Sequence, residues 1–193
     1  VSPLRDHDSY ENETFKDLDM SDESLKDISF YNCQFIKSSF QFANLVSCVF
    51  ENCTFSNCNL ALAKLKNTNF IDAEFIDSKL LGVNWSSVRV VIVASFVNCL
   101  LDSSSFSDMN LAKMKFVSCS MIEAAFTNTK LTRVKFDDCD LARCLFSGAD
   151  LSFADFSTSR NYYMDAESNK LHKTIFSLPE AVSLLGNLDI ELK

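Results

Sequence analysis

Ala149-Asp150-Leu151-Ser152-Phe153 is followed at once by Ala154-Asp155-Phe156-Ser157-Thr158, two pentads that each place a small residue first, an acid second and a large apolar residue third. Counting back from Leu151 in steps of five meets Phe146, Leu141, Phe136, Leu131, Phe126, Met121, Phe116, Leu111, Phe106, Leu101 and Phe96. One residue of slip intervenes. The same beat then runs from Val90 through Trp85, Leu80, Phe75 and Phe70 down to Phe15 and Tyr10. Thirty positions between Tyr10 and Phe156 are large and apolar on this count. The residue two before each is mostly small or modest in size, as in Ala94, Cys99, Ser104, Cys119, Ala124, Thr129, Val134, Cys139 and Cys144. A period of five matches neither a helix at about 3.6 nor a strand at about 2, and a heptad fails as well.

A five-residue unit cannot bury its apolar side alone, whereas stacked units bury a continuous core and pair their backbones from rung to rung. The pattern resembles the pentapeptide-repeat family, whose consensus is written A(D/N)LXX and which Ala149–Thr158 follows almost literally. The resemblance implies an all-β fold: a right-handed quadrilateral (square) parallel β-helix with four pentapeptides to a coil. The central apolar residue and the small residue two before it would point inward. The chain then divides into an N-terminal lead-in at 1–9, the β-helix at 10–160 with its slip near 88–95, and a tail at 161–193.

Composition narrows the function. Only 3 Gly and 2 Pro are present, so the turns of this chain must be made by other residues. Net charge is −8, and residues 1–60 carry 10 acids against 4 bases. Val90–Ala94 is the longest apolar stretch, too short for a membrane span, so the expectation is a cytoplasmic protein. All eight cysteines occupy the small inward position of a repeat. Core packing explains that placement, since zinc sites need closer pairs and Cys99, Cys119 and Cys139 would stack on parallel side-chain vectors.

No phosphate loop is possible with Gly82, Gly148 and Gly186 so dispersed, and no catalytic histidine motif occurs. His7 and His172 read as surface decoration, and Asp137-Asp138 as solvated outward carboxylates. The expectation is a binding protein rather than an enzyme, with no cofactor and no metal.

A twenty-residue coil assigns the outward residues to faces, provided the slip leaves the face order unchanged. The face centred on Met20, Phe40, Leu60, Leu80, Leu101, Met121 and Leu141 carries Asp19, Asp22, Asp102, Glu123 and Asp140 against Lys79 and Arg143. This acidic face is one candidate partner surface. Phe42 and Leu62 on the same face, with Ile36 and Ile76 on the face of Phe15, form apolar ladders that either stabilise strands or meet a partner. The slip itself, Val88–Ala94, reads as a bulge, with Trp85 and Gly82 beside it.

In the tail, Ser177-Leu178-Pro179-Glu180 combines a capping box with proline just inside a helix start. The spacing predicts a short capping α-helix ending near Gly186, with Leu178, Ala181, Val182 and Leu185 as the stripe that plugs the last coil. Leu188, Ile190 and Leu192 alternate with acids as a terminal strand. This tail is similar to that of the quinolone-resistance branch of the family. That resemblance implies a homodimer through the C-terminal end, with Leu184, Leu188, Ile190 and Leu192 at the contact. It also implies an acidic rod that imitates duplex DNA and engages a type II topoisomerase, DNA gyrase, without binding nucleic acid itself. The alternative is a general protein-interaction scaffold that uses the apolar ladders and has no topoisomerase role.

Overall fold

In the computed structural model, which describes residues 4, 5, 8–88, 93–187 and 190, the five-residue beat becomes a parallel β-helix with four faces. Phe30 pairs with Tyr10 on one side and Phe50 on the other, and Phe50 with Phe70. Phe15, Phe35, Phe55, Phe75, Phe96, Phe116 and Phe136 form a second unbroken ladder. Leu25, Leu45 and Leu65 form a third. The Met20 face is joined by single bridges that run Asp19, Ser39, Asn59, Lys79, Leu100, Ser120, Asp140, Arg160.

The corners supply the turns that glycine and proline do not. The residue two after the central one has positive φ at most corners, from Asn12 at 58° to Lys173 at 52°, with Ser87 and Thr158 as exceptions. Of the 27 non-glycine residues in that left-handed region among the described residues, 15 are Asn or Asp, whose short polar side chains tolerate it best. Most corner N–H groups donate one coil on, as Asp22 does to the carbonyl of Gln41 at 2.9 Å and Asn32 to that of Glu51 at 2.9 Å. Corner side chains also pair along the rod: Asn98 Nδ2 donates to Asp77 Oδ1 at 2.6 Å, and Asn128 Nδ2 to Asp108 Oδ1 at 3.2 Å.

The small inward position does more than leave room. Its side chain donates to the carbonyl of a central residue one coil back: Ser78 Oγ to Phe55 at 3.2 Å, Thr129 Oγ1 to Phe106 at 2.9 Å, Ser159 Oγ to Phe136 at 2.8 Å. Cysteine does the same, with Cys53 Sγ on Phe30 at 3.5 Å and Cys144 Sγ on Met121 at 2.9 Å. Buried carbonyls need such partners, which is why Cys, Ser and Thr share this position.

The slip preserves the face order. Phe75 faces Phe96, Lys79 faces Leu100 and Asn84 faces Ser105, each 21 residues on. The register shifts between Ile71 and Ala73, where Asp72 is left over. Residues 89–92 of the expected bulge lie outside the described residues. Just before them, Trp85–Ser87 is a short 3₁₀ helix capped by Asn84, whose side chain accepts from Ser86 N–H. Trp85 is fully buried and meets Phe70, Phe75 and Phe96 edge-on at 5.6, 5.6 and 5.2 Å, and stacks on Phe106 at 6.0 Å.

The tail departs from its sequence pattern in three ways. The α-helix is only Leu178–Ala181 and continues as a 3₁₀ helix over Val182–Asn187. Ser177 makes no side-chain cap to it, and its hydroxyl lies instead 3.2 Å from the Tyr162 hydroxyl. The stripe expected to plug the last coil faces outward: Leu178 is 88% exposed, Val182 50% and Leu185 37%. Leu184, expected off the stripe, packs against the core. The cause is the change of helix type. At three residues per turn Val182 and Leu185 share one side while Ala181 and Leu184 share another. Ile190 is exposed. Leu188 and Leu192 of the expected terminal strand lie outside the described residues.

Candidate interaction surfaces

On the Met20 face the bridged ladder carries Asp19 and Asp140, and Asp102 stands beside it, bonded to the ladder residue Ser120. Most of these carboxylates are already engaged. Glu123 Oε1 accepts from Arg143 Nε at 2.9 Å. Asp140 accepts from Asn161 Nδ2 at 3.0 Å and lies 3.4 Å from Arg160 Nε. Asp102 Oδ1 accepts from Ser120 Oγ at 2.6 Å and the Ile122 N–H at 2.9 Å. Asp19 is held below the usual carboxylate range by the hydroxyl and N–H of Ser21. Asp22 is exposed at its corner. Arg160 joins the ladder as a third base. From Asp19 to Arg160 is about 34 Å at about 4.8 Å per rung, a length over which duplex DNA presents about 20 charges. Five acids against three bases make a mildly polarised face, not a dense one.

The two sets of apolar ladder residues separate. Ile36 and Ile76 are half-buried and both lie opposite Ser56, with Ile76 also against Val97. They read as cross-strand pairs that stabilise the sheet. Phe42 and Leu62 are 46% and 50% exposed. They occupy successive corners with φ of 58°, and the next corner is Gly82. A Cβ on Gly82 would come within 2.5 Å of Leu62 Cδ2, the end of a side chain that would then have to shift, so glycine leaves room for Leu62 to lie along the rod. A groove of about 450 Å³ opens here, with Lys64, Lys66 and Asn84 among the residues that line it.

A basic face was missed in the sequence. On the Tyr10 face after the slip, Lys130 and Lys170 flank Asp150 along a bridged ladder, and Lys113, Arg133 and Lys173 stand at the corners. The exposed Phe153 ring lies beneath the Arg133 guanidinium at 4.8 Å, with Lys173 Nζ at 6.0 Å and the His172 ring edge-on at 5.2 Å. His172 is therefore part of a cluster rather than isolated decoration. Among the described residues none of these five cations forms an ion pair, whereas Lys115 and Lys135 both reach Asp137, at 3.1 and 3.5 Å. Contact with Lys115 and Thr158 holds Asp137 below the usual range, so it is not the unperturbed acid its position suggested. Taking the outward residues of this face twenty apart would have found the basic cluster.

At the C-terminal end Ile175, Leu178, Val182, Leu185 and Ile190 are all exposed. The eight thiols are free and buried. Burial pushes Cys53 and Cys144 up to about 12 and Cys58 to about 11. No helix among the described residues is long and apolar enough to cross a membrane.

Two family models match. Pentapeptide repeats (8 copies) covers residues 43–82, and the Pentapeptide repeat region covers 91–162. Among solved structures, a trypsin-treated form of QnrB1, described as a plasmid-mediated fluoroquinolone resistance protein, superposes with a TM-score of 0.71 at 16% identity, over 97% of this chain and 98% of that one. A second trypsin-treated form gives 0.67 at 19% identity over 97% and 92%. Full-length QnrB1 gives 0.58 at 20% identity over 95% and 91%. These likenesses establish the fold. No curated protein matches by sequence.

Proposed function

Because the chain belongs to the pentapeptide-repeat family, we propose that it is a non-enzymatic binding rod whose partner is a type II topoisomerase, and that it lowers that enzyme's sensitivity to fluoroquinolones. The observation that carries this reading is the end-to-end correspondence with a fluoroquinolone resistance protein, over 97% of one chain and 98% of the other. The surface of the rod offers grooves such as the one beside Phe42 and Leu62, and in this reading the rod acts by presenting charge and shape. The uneven acid, 10 against 4 in residues 1–60, gives it an anionic end that would steer toward a basic, DNA-handling surface. A cytoplasmic site of action follows from that target.

In this reading the rod is also a homodimer. The apolar residues left exposed at the C-terminal end are more than a single-rod cap uses, and a two-fold contact would cover the same patch on both chains. Light scattering should give about twice 21.7 kDa, and Leu178→Glu with Val182→Glu should give a folded monomer. Leu184 is the wrong residue for that test because it packs on the core of its own rod.

A specific observation favours a second reading, a scaffold with no topoisomerase role. The acidic face is sparse and its corner ladder is interrupted by Phe42, Leu62 and Gly82. Binding to purified gyrase at rising salt separates the two. Topoisomerase recognition through charge predicts binding that weakens steeply with salt, and weakens again when Asp19, Asp22, Asp102, Glu123 and Asp140 become Asn or Gln. Absence of binding at low salt would leave only the scaffold.

A further inference from the structure

The groove beside Phe42 and Leu62 is unusual in what it costs. Left-handed φ is disfavoured for bulky side chains, and at other corners this chain mostly uses Asn, Asp or small polar residues. A large apolar side chain there is justified in folding terms only if it is buried, yet Phe42 and Leu62 stay 46% and 50% exposed. Adjacent strained and exposed apolar residues argue from an observed outlier toward a binding role. Gly82 supports the same arrangement, since a side chain there would collide with Leu62.

The chemistry of the groove defines its ligand. The corner N–H groups are already used: Phe42 donates to Ala61 at 3.0 Å, Leu62 to Leu81 at 2.8 Å and Gly82 to Asp102 at 2.9 Å. A ligand therefore cannot add as a strand at these corners and must be held by side chains. Phe42 and Leu62 offer an apolar surface, and about 450 Å³ suits about two or three apolar side chains of a short segment. Lys64 and Lys66 are exposed, and among the described residues neither forms an ion pair. Two cations beside an apolar floor are too few for a nucleic-acid backbone, which rewards many phosphate contacts. They complement carboxylates placed next to an apolar anchor.

We propose that this groove docks a segment of a partner protein in which adjacent apolar residues are flanked by acidic ones. The proposal stands apart from the topoisomerase reading, and its test contains no topoisomerase. A short fluorescein-labelled peptide with a central Leu-Phe flanked by Glu is titrated with the protein and followed by anisotropy. Two counterparts carry Lys flanks or a Ser-Ser centre. The Glu-flanked peptide binds saturably, and each counterpart binds about ten-fold more weakly or worse. The Phe42→Asn/Leu62→Asn variant keeps its thermal midpoint, because Asn suits the corner, and loses the peptide by about ten-fold or more. Gly82→Ala keeps the apolar surface but displaces Leu62, and weakens binding in the folded protein. The proposal fails if the wild type shows no saturable binding, if Lys flanks serve as well as Glu, or if the double variant binds undiminished. Displacement of the peptide by a duplex oligonucleotide at equal ionic strength would also overturn it, and assign the patch to nucleic acid.

Discussion

The rod before Trp85 and the rod after it follow the same five-residue rule and are built differently. Before Trp85, strands form on three faces, at Ser9–Glu11, Thr14–Lys16 and Ser24–Lys26 and at their equivalents in later coils. After it, among the described residues, strands persist only on the Phe15 face, at Val93–Val97, Lys115–Val117 and Lys135–Asp137. The aromatic core changes with them. In the first half, Tyr10, Phe30, Phe50 and Phe70 stack beside Phe15, Phe35, Phe55 and Phe75. In the second half, the Phe15 ladder continues through Phe96, Phe116, Phe136 and Phe156, but its companion is now Phe106, Phe126 and Phe146 on the Leu25 face. In both halves the core holds two adjacent aromatic ladders in edge-to-face contact. Which face supplies the second ladder is free, and Trp85 is where the supply changes hands.

That comparison is most easily broken at the junction. Trp85→Ala removes contacts to four rings at once and is expected to cost roughly 3–5 kcal/mol. It should also split urea unfolding, followed by circular dichroism, into two transitions, because repeat stacks cooperate only through neighbouring interfaces. Phe126→Ala, inside the second half, should lower stability yet keep one transition. A single transition for both variants would mean the halves are not distinct.

The next effect is on pH. Cys53 in the first half and Cys144 in the second are both raised from 9.0 to about 12 by burial. A folded pKa above the unfolded value means stability is complete below about pH 9 and falls as pH rises toward 12, by about 1.4 kcal/mol per thiol per pH unit. Cys53→Ser and Cys144→Ser should each flatten the alkaline limb by one thiol's share. Neutral-pH stability should change little, because Ser38 and Ser78 make the same carbonyl bond elsewhere. Ellman titration should read eight thiols, slowly in the native protein and at once in denaturant. The smallest effect belongs to the surface: Arg143→Gln, which frees Glu123, should shift stability by less than about 1 kcal/mol, as thermal melts would show.

The fold was legible because its period is five on both sides of a single one-residue slip and the apolar residues at Tyr10, Phe15, Met20 and onward fit no helix, strand or heptad period. The buried cysteines were legible for the same reason. What was hidden depended on conformation. The left-handed corners give only a partial composition signal, because Lys37, Phe42 and Glu123 stand among the Asn and Asp that favour them. Hydrogen bonds from Cys and Ser to the previous coil emerge only once the rungs are stacked. The cap was misread because heptad-like spacing presumes 3.6 residues per turn, and the chain tightens to 3₁₀ after Ala181. The cluster of Lys113, Lys130, Arg133, Lys170 and Lys173 was legible in principle, since it needs only the twenty-residue count applied to the Tyr10 face.

The claim that this rod acts on a type II topoisomerase is tested most directly by gyrase supercoiling in the presence of a fluoroquinolone, titrated with the protein. The account predicts that supercoiling inhibited by the drug recovers as the protein is added, with less cleaved DNA trapped, and that this recovery diminishes in the Asn/Gln variant of the acidic face. Drug inhibition that is unchanged at every concentration of folded wild-type protein would contradict it.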